Sequence, residues 1–291
     1  MKISLLGGGS CIAPVASTIC HLNLFSEVVW VEDTPGPLRD TLQDLKQAIA
    51  IGGAETELHV TQEQAALADS QVVILLPHSR PIQAQRQANA SLAQRFARHI
   101  KRHAPKARVI VAIPSACLLA FYVYRQLGAE ASQVIGLSGG VGCAYLKTQI
   151  AHQLSVSVED VMVLAIGNDE TIHPLPQYCR VNGIPLRELL EARQIDALTE
   201  GVQETHKKSS TVDVPYTLAA WIAQIVTAIA LDKKRIMCVS SLIQSSAARV
   251  YLNVPTKIGR NGAESILRLD LTDSQREQFT QLVTKSVKEQ R

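Results

Sequence analysis

The chain has 291 residues, of which 46% are hydrophobic and 19% are charged. This is the composition of a folded globular protein and excludes a disordered or fibrous chain. The 29 lysines and arginines against 26 aspartates and glutamates leave a formal net charge of +3. Such a small excess gives no electrostatic reason to expect nucleic acid or an anionic membrane as a partner.

The sequence also carries indications of the compartment. No apolar stretch reaches the ~20 residues that a membrane-spanning helix needs. The first residues lack the apolar region and the small-residue cleavage site of a signal peptide. The six cysteines form no Cys-x-x-Cys pair, which argues against a zinc site or a disulfide framework. We therefore expect a cytoplasmic protein without a bound metal.

The first half of the chain alternates strand and helix signals. Short apolar runs predict buried strands, and the segments between them carry apolar residues at helical spacing. In chain order we predict a strand at 2–6, a helix at 14–24, a strand at 27–31, a helix at 37–50, strands near 59–60 and at 71–76, a helix at 82–103, a strand at 108–113, a further helix and a strand at 133–137. This alternation predicts a parallel sheet with helices on both faces, which is an α/β fold.

The pattern changes after about Gly140, where the predicted strands become shorter. The turn Asn182-Gly183 between two apolar runs predicts a hairpin. The remaining predicted elements are a helix at 144–154, a strand at 161–166, helices at 186–208 and 214–232, strands at 236–243 and 248–254, and a charged helix from Thr272.

A glycine-rich turn directly follows the first predicted strand. Gly7 and Gly9 fill the first two positions of a Gly-x-Gly-x-x-Gly motif, and Ile12 stands in the third. Such a turn lets backbone N–H groups approach a pyrophosphate at the N-terminus of the next helix. Glu32 ends the second strand about 20 residues further on, where an acid binds the adenosine ribose and disfavours a 2′-phosphate. We therefore predict NAD as the cofactor, bound by Gly7, Gly9, Ser10 and Glu32, although Ile12 leaves an empty turn as the alternative.

These features together predict two domains. The first is an N-terminal Rossmann parallel sheet of the dinucleotide-binding type over residues 1–150. The second is an α+β domain of the substrate-binding type over residues 151–291.

Two long collinear stretches of the chain resemble the lactate/malate dehydrogenase family, particularly its malate-dehydrogenase-like branch. One extends from Val134-Ile-Gly-Leu-Ser-Gly to Val181-Asn-Gly-Ile-Pro-Leu. The other includes Asp232-Lys-Lys-Arg-Ile, Val250-Tyr-Leu-Asn-Val-Pro and Leu269-Asp-Leu-Thr. The resemblance implies the fold, a homodimer or homotetramer, and an NAD-dependent oxidoreductase that acts on the CH–OH group of a 2-hydroxy acid.

The residues that carry the family's chemistry differ in this chain. The family uses a histidine as general acid/base, oriented by an aspartate. Asn168 and Gly142 stand at the matching positions, and Lys147 matches the arginine that binds the substrate carboxylate. The loop between Leu76 and Asn89 is about five residues shorter, so it is not expected to close as a lid.

Several other side chains are candidates for a changed site. His78, Tyr145 and His173 are candidate acid/base residues, although His78 is equally compatible with blocking the nicotinamide path. A strand position five residues beyond Asn168 points to the other face, so a structural role is the alternative for His173. Lys147 and Ser210 are candidate substrate-binding residues for a small anionic molecule.

Two functions follow from this pattern. The first is a catalytically silent homologue that keeps an NAD-type pocket and binds a ligand or a partner protein. The second is an active NAD-dependent oxidoreductase on a different anionic substrate, with relocated acid/base residues. Ordinary malate or lactate turnover is not expected, because loss of the proton donor alone costs roughly 10²–10⁴ in rate.

Overall fold

The computed structural model of the chain describes residues 1–32, 38–77, 86–209, 214–244 and 249–290. The strands are β1 (Lys2–Leu6), β2 (Glu27–Val31), β3 (Glu57–Thr61), β4 (Val72–Leu75), β5 (Arg108–Val111), β6 (Val134–Gly136), β7 (Val161–Met162), β8 (Ala165–Gly167), β9 (Ile172–Pro174), β10 (Arg180–Val181), β11 (Ile184–Pro185), β12 (Arg235–Gln244), β13 (Arg249–Gly259) and β14 (Gly262–Ile266). The helices are α1 (Ile12–His21), α2 (Leu38–Ile51), α3 (Arg86–His103), α4 (Ala116–Leu127), α5 (Gly140–Leu154), α6 (Leu186–Leu189), α7 (Ala192–Ser209), α8 (Pro215–Ala230) and α9 (Asp273–Glu289).

The strands of the first half form a parallel sheet in the order β3-β2-β1-β4-β5-β6. This is the strand order of a Rossmann fold, so the predicted α/β class is confirmed. Strand β1 lies between β2 and β4, and Leu6 pairs with Val31 on one side and with Leu75 on the other. The strand order reverses at this place, and open α/β sheets bind ligands outside the carboxyl ends of such strands.

The same sheet continues into the second half with antiparallel strands. Strand β6 pairs with β12 at Gly136 and Ser240, and the order then runs β12-β13-β8-β9. A separate small sheet contains β7, β10 and β11. The hairpin predicted at Asn182-Gly183 is confirmed, because these residues have φ values of 45° and 86°, as a turn of this kind requires.

One predicted helix is wrong in its extent. The single helix predicted over 186–208 is two helices, α6 and α7, because Leu190 takes an extended backbone conformation between them. The Leu190 side chain is buried there in the second-half core. The domain boundary at residue 150 stays a prediction, and that residue lies within α5.

The glycine turn after β1 is pressed against the end of β4. Gly7 has a φ of +128°, and a Cβ atom built on it would overlap the backbone carbonyl oxygen of Leu76. The indole N–H of the fully buried Trp30 donates a hydrogen bond of 3.0 Å to the Gly7 carbonyl. Glycine is therefore required at this position by the fold itself, whether or not a ligand binds.

We expect Gly7→Ala to lower the free energy of unfolding by about 3 kcal/mol or more, since it combines a strained positive φ with a backbone clash. Gly53→Ala is the matched control. Gly53 also has a positive φ of +70°, but nothing lies within 4 Å of an added Cβ atom. That variant should lose only about 1–2 kcal/mol in urea unfolding. Equal losses in the two variants would contradict the close approach of the turn to β4.

Candidate active-site cavity

A cavity of about 140 Å³ lies at the carboxyl edge of the parallel sheet. The first half supplies one side of it through the segments that follow the strands: Cys11 at the start of α1, Pro77 after β4, Pro114 after β5 and Ser138 after β6. The second half closes the other side with Asp169 and with residues of α7 and α8. A cavity at this place in an open α/β sheet is the expected position of a ligand.

Asp169 connects the two halves beside the cavity. Its carboxylate accepts hydrogen bonds from the backbone N–H groups of Cys117 at 2.9 Å and Leu118 at 3.1 Å, in the first turn of α4. The N-cap residue Ser115 makes no side-chain cap bond, so Asp169 takes that role from a distant part of the chain. The positive end of the helix dipole favours its negative charge. Burial and, to a smaller degree, this charge raise the pKa of the Cys117 thiol well above its usual value.

Asn168 holds the turn between β8 and β9. Its Oδ1 atom accepts hydrogen bonds from the backbone N–H of Glu170 at 3.0 Å, and from the N–H and hydroxyl of Thr171 at 2.9 and 3.2 Å. The Ser138 hydroxyl donates to the Asn168 carbonyl at 3.1 Å. The Asn168 side chain is buried and is not among the residues that line the cavity. It therefore stabilises the turn, in agreement with a residue that exchanges no proton near neutral pH.

Gly142, which replaces the family's orienting aspartate, is packed against apolar side chains. An added Cβ atom would lie 3.1 Å from Cγ1 of Val202 and 3.3 Å from Cγ2 of Ile172. The space beyond Gly142 is thus filled by hydrophobic groups, and a carboxylate there would be buried without a polar environment.

The structure does not bring three of the predicted site residues to the cavity. Tyr145 packs on α7, where a Cβ atom added to Gly201 would overlap its phenol. Lys147 is half-buried on α5, and His173 lies on β9 opposite Ile166. Burial lowers the pKa of His173 below its usual value. None of Tyr145, Lys147 and His173 is among the residues that line the cavity.

Two further predicted site residues, His78 and Ser210, lie outside the described residues. Their roles as candidate acid/base and substrate-binding residues stay predictions.

The predicted cofactor residues lie together at the carboxyl edge of β1 and β2. Gly9 and Ser10 are exposed in the turn, and α1 begins without a side-chain cap bond. Ile12, which stood in the place of the third glycine, is only 1% exposed and packs into the core beneath the sheet. The Ile12 side chain therefore does not cover the exposed surface of the turn. Glu32 follows β2, and its backbone N–H donates to the Thr61 carbonyl at 2.9 Å.

His206 on α7 lines the cavity and is a residue that the sequence analysis missed. Its side chain is only 6% exposed. Burial lowers the pKa of His206 below its usual 6.5, against a weaker opposite effect of the backbone carbonyl groups of Asn168 and Asp169. Within the described residues, its Nε2 atom has no hydrogen-bond partner. No motif marks this position, since His206 stands far from Asn168 in the chain and beside charged helix residues.

Trp221 on α8 forms another wall of the cavity. A Cβ atom added to Gly140 would overlap its indole ring, so the ring lies directly on the first turn of α5. Its Nε1 atom, like Nε2 of His206, is buried and finds no acceptor in the described part of the chain. Two of the residues that line the cavity thus each carry a buried ring nitrogen without a partner among the described residues.

Comparisons with known proteins agree with this architecture. The family described as lactate/malate dehydrogenase, alpha/beta C-terminal domain, matches residues 143–290. The malate dehydrogenase of Rhodopirellula baltica is 31% identical, over 96% of this chain and 92% of the relative. The chain belongs to the lactate/malate dehydrogenase family. The malate dehydrogenase of Halalkalibacterium halodurans is 28% identical, over 97% of the chain and 94% of the relative.

A solved structure shows the same fold for this member of the lactate/malate dehydrogenase family. The lactate dehydrogenase of Cryptosporidium parvum, described in complex with lactic acid and the cofactor NAD, superposes with a TM-score of 0.90 at 24% identity. The superposition covers 99% of this chain and 96% of the lactate dehydrogenase chain. At this identity the likeness establishes the fold.

Neither a membrane-spanning helix nor a cluster of metal-ligating side chains is present among the described residues. None of the helices there is both long enough and apolar enough to cross a membrane. The same residues contain no group of three or more His, Cys, Asp or Glu side chains that could hold a metal ion.

We expect Asp169→Asn to lower the free energy of unfolding by about 1–2 kcal/mol, because it removes the charge from the N-terminus of α4. The neighbouring Glu170→Gln is the matched control. The Glu170 side chain is exposed and pairs with Lys285. The Glu170→Gln variant should therefore lose less than about 1 kcal/mol of unfolding free energy. Urea unfolding of both variants measures the difference. An Asp169→Asn variant as stable as the wild-type protein would contradict the capping role.

Restoring the family pair with Asn168→His and Gly142→Asp is expected to destabilise the protein by about 3 kcal/mol or more, without restoring malate turnover. The aspartate would be buried against Val202 and Ile172, and the turn would lose its asparagine. Gly142→Ala adds only a methyl group and should cost less. A stable double variant that oxidises malate would show that the original site is still open.

Proposed function

We propose that this protein is an NAD-dependent oxidoreductase whose acid/base chemistry has moved from the family's positions to the cavity between its two halves. The observation that carries the proposal is the presence of Asp169 and His206 in one cavity at the carboxyl edge of the sheet. Asn168 and Gly142 stand at the family's own positions. Asn168 holds a turn through hydrogen bonds, and Gly142 is packed against apolar side chains.

The residues at the first turn fit the cofactor. The exposed backbone of Gly9 and Ser10 and the uncapped start of α1 suit a pyrophosphate, and the Glu32 carboxylate suits the hydroxyl groups of the adenosine ribose. The likeness to a lactate dehydrogenase described with NAD supports the same cofactor. When bound, NAD supplies hydride transfer to or from the substrate carbon.

The charge of the cavity restricts the substrate. Among the described residues that line it, Asp169 is an acid and none is a lysine or arginine. Lys147, which the sequence analysis proposed as the partner of an anionic molecule, is not among them. Within the described residues, malate or another dicarboxylate would meet the negative charge of Asp169 and no lysine or arginine. We therefore expect a small alcohol or carbonyl compound that presents a hydroxyl or ammonium group to Asp169.

A second candidate function is the catalytically silent binding protein. The close packing of Gly142 against Val202 and Ile172 favours it, because the original catalytic space is closed. Only the oxidoreductase consumes NAD or NADH, so a measurement of cofactor consumption separates the two functions. The cytoplasmic location and the homodimer or homotetramer expected from the resemblance stay predictions under both.

Calorimetric titration with NAD, NADH, NADP and NADPH tests the cofactor. We expect micromolar binding of NAD and NADH and weaker binding of the two phosphorylated forms, because the Glu32 carboxylate repels a 2′-phosphate. Glu32→Gln should reduce this discrimination while leaving NADH binding in place. The absence of binding for all four dinucleotides would contradict the oxidoreductase and leave a protein whose function lies in its partners.

The reaction is tested by following NADH absorbance with malate, lactate, glycerol, propylene glycol and isopropanolamine. The charge of the cavity predicts faster turnover of isopropanolamine and the neutral diols than of malate. Binding of NADH without turnover of any of these compounds would overturn the oxidoreductase and support the silent protein.

A further inference from the structure

We propose that Trp221 limits the size of the substrate, so that the cavity accepts an alcohol or carbonyl compound of no more than about six heavy atoms. The inference rests on the proposed function and deepens it by naming the size class of the substrate and the side chain that sets it.

The indole of Trp221 occupies the space that a side chain at position 140 would fill. Gly140 is the first residue of α5, and a Cβ atom added to it would overlap the six-membered ring of the indole. A ring lies this close to a helix backbone only where the helix residue has no side chain. Both residues line the cavity. The ring is therefore one of the cavity walls, and Gly140 determines how close it comes to α5.

Helix α8 holds the indole in place through the core that it shares with the first half. The helix packs along α1, and the side chains of Ile222 and Ile225 are fully buried in that core. Thr217 and Leu218, about one turn before Trp221, line the cavity together with it. Close-packed interiors resist displacement, so the indole is a fixed wall that does not move aside for a larger molecule.

The volume of the cavity sets the limit. At about 140 Å³ the cavity is close in size to the apolar cavity of roughly 150 Å³ that holds one benzene molecule. Pockets that take drug-sized ligands are larger, roughly 300–1,000 Å³. A molecule of about six heavy atoms therefore fills the cavity, and any part of the nicotinamide that enters leaves less room. A substrate with a long chain or an aromatic ring beside the reacting carbon does not fit.

The walls also select the chemistry of this small molecule. Trp221, Leu218 and Leu137 present apolar surface to the cavity, and Asp169 adds one negative charge. The apolar walls suit a short carbon skeleton, while the carboxylate suits a hydroxyl or ammonium group. Short diols and amino alcohols combine these features.

A double-mutant cycle tests the packing of the indole without any substrate. Gly140→Ala should lower the Tm by about 5 °C, because the added methyl group displaces the ring. In a Trp221→Ala background the same change should be neutral or stabilising, since the ring is gone and alanine favours a helix. Gly142→Ala is the matched control. An added Cβ atom there meets Val202 and Ile172, so its effect should be the same in both backgrounds. Equal effects of Gly140→Ala in the two backgrounds would overturn the inference.

Ligand binding tests the size limit whether or not the protein turns a substrate over. Saturation-transfer nuclear magnetic resonance of the NADH complex compares propylene glycol with 1-phenyl-1,2-ethanediol, which carries a phenyl group in place of the methyl group. The wild-type protein should favour propylene glycol by at least ~10-fold in Kd. Trp221→Ala should bind the phenyl compound, because it opens a space of the size of an indole. Leu282→Ala is the control, since it removes a buried side chain of α9 that does not line the cavity.

Kinetics measure the same limit on the reaction. The ratio of kcat/KM for propylene glycol to that for 1-phenyl-1,2-ethanediol should exceed ~10² in the wild-type protein and fall by at least ~10-fold in Trp221→Ala. Trp221→Phe, which keeps a smaller ring on Gly140, should shift the ratio in the same direction by less. This variant replaces Trp221→Ala in both measurements if the latter does not fold.

The outcomes separate the size limit from the proposed function. A wild-type protein that binds or oxidises the phenyl compound as well as propylene glycol overturns the role of Trp221 and leaves the oxidoreductase in place. Selective binding of propylene glycol that Trp221→Ala abolishes, without turnover of either compound, supports the size limit and overturns the oxidoreductase. A wild-type NADH complex that binds neither compound overturns the inference.

Discussion

The contact between the Asp169 carboxylate and the N-terminus of α4 is the interaction on which the geometry of the cavity depends. Asp169 belongs to a turn of the second half, and the N–H groups that it binds belong to a helix of the first half. The helix dipole favours an anion at this end, so the contact stabilises both partners. It fixes the position of the turn, and Asp169 of that turn lines the cavity together with His206.

The changes relative to the family are consistent with one another. Asn168, which the resemblance places at the family's acid/base position, holds the turn, and Gly142, at the predicted orienting position, leaves room for Val202 and Ile172. A histidine from α7 lines the cavity together with Asp169 of the same turn. Under the proposed function, the family scaffold keeps its cofactor site while the proton-transfer group comes from another element, because function resides in the site and not in the fold.

The fold was predictable from the sequence, because strand and helix periodicity and the glycine turn are local signals. The boundary between α6 and α7 was not, since burial of Leu190 in an extended conformation depends on the tertiary core. The residues of the candidate site also include some that the sequence predicts and some that it does not. The predicted replacement of the family histidine by Asn168 rests on a local motif, whereas Asp169 and His206 come from distant segments that only the folded chain brings to one cavity. Lys147 is the opposite case. The sequence matches it to the family's substrate-binding arginine, but in the folded chain it does not line the cavity.

A crystal structure of the protein with NADH bound would test the central claim most directly. The account predicts that the pyrophosphate lies on the turn of Gly9 and Ser10, and that the nicotinamide ring enters the cavity beside Pro114 and Ser138, in reach of His206. A dinucleotide bound with its nicotinamide outside this cavity, or bound elsewhere on the protein, would contradict the account.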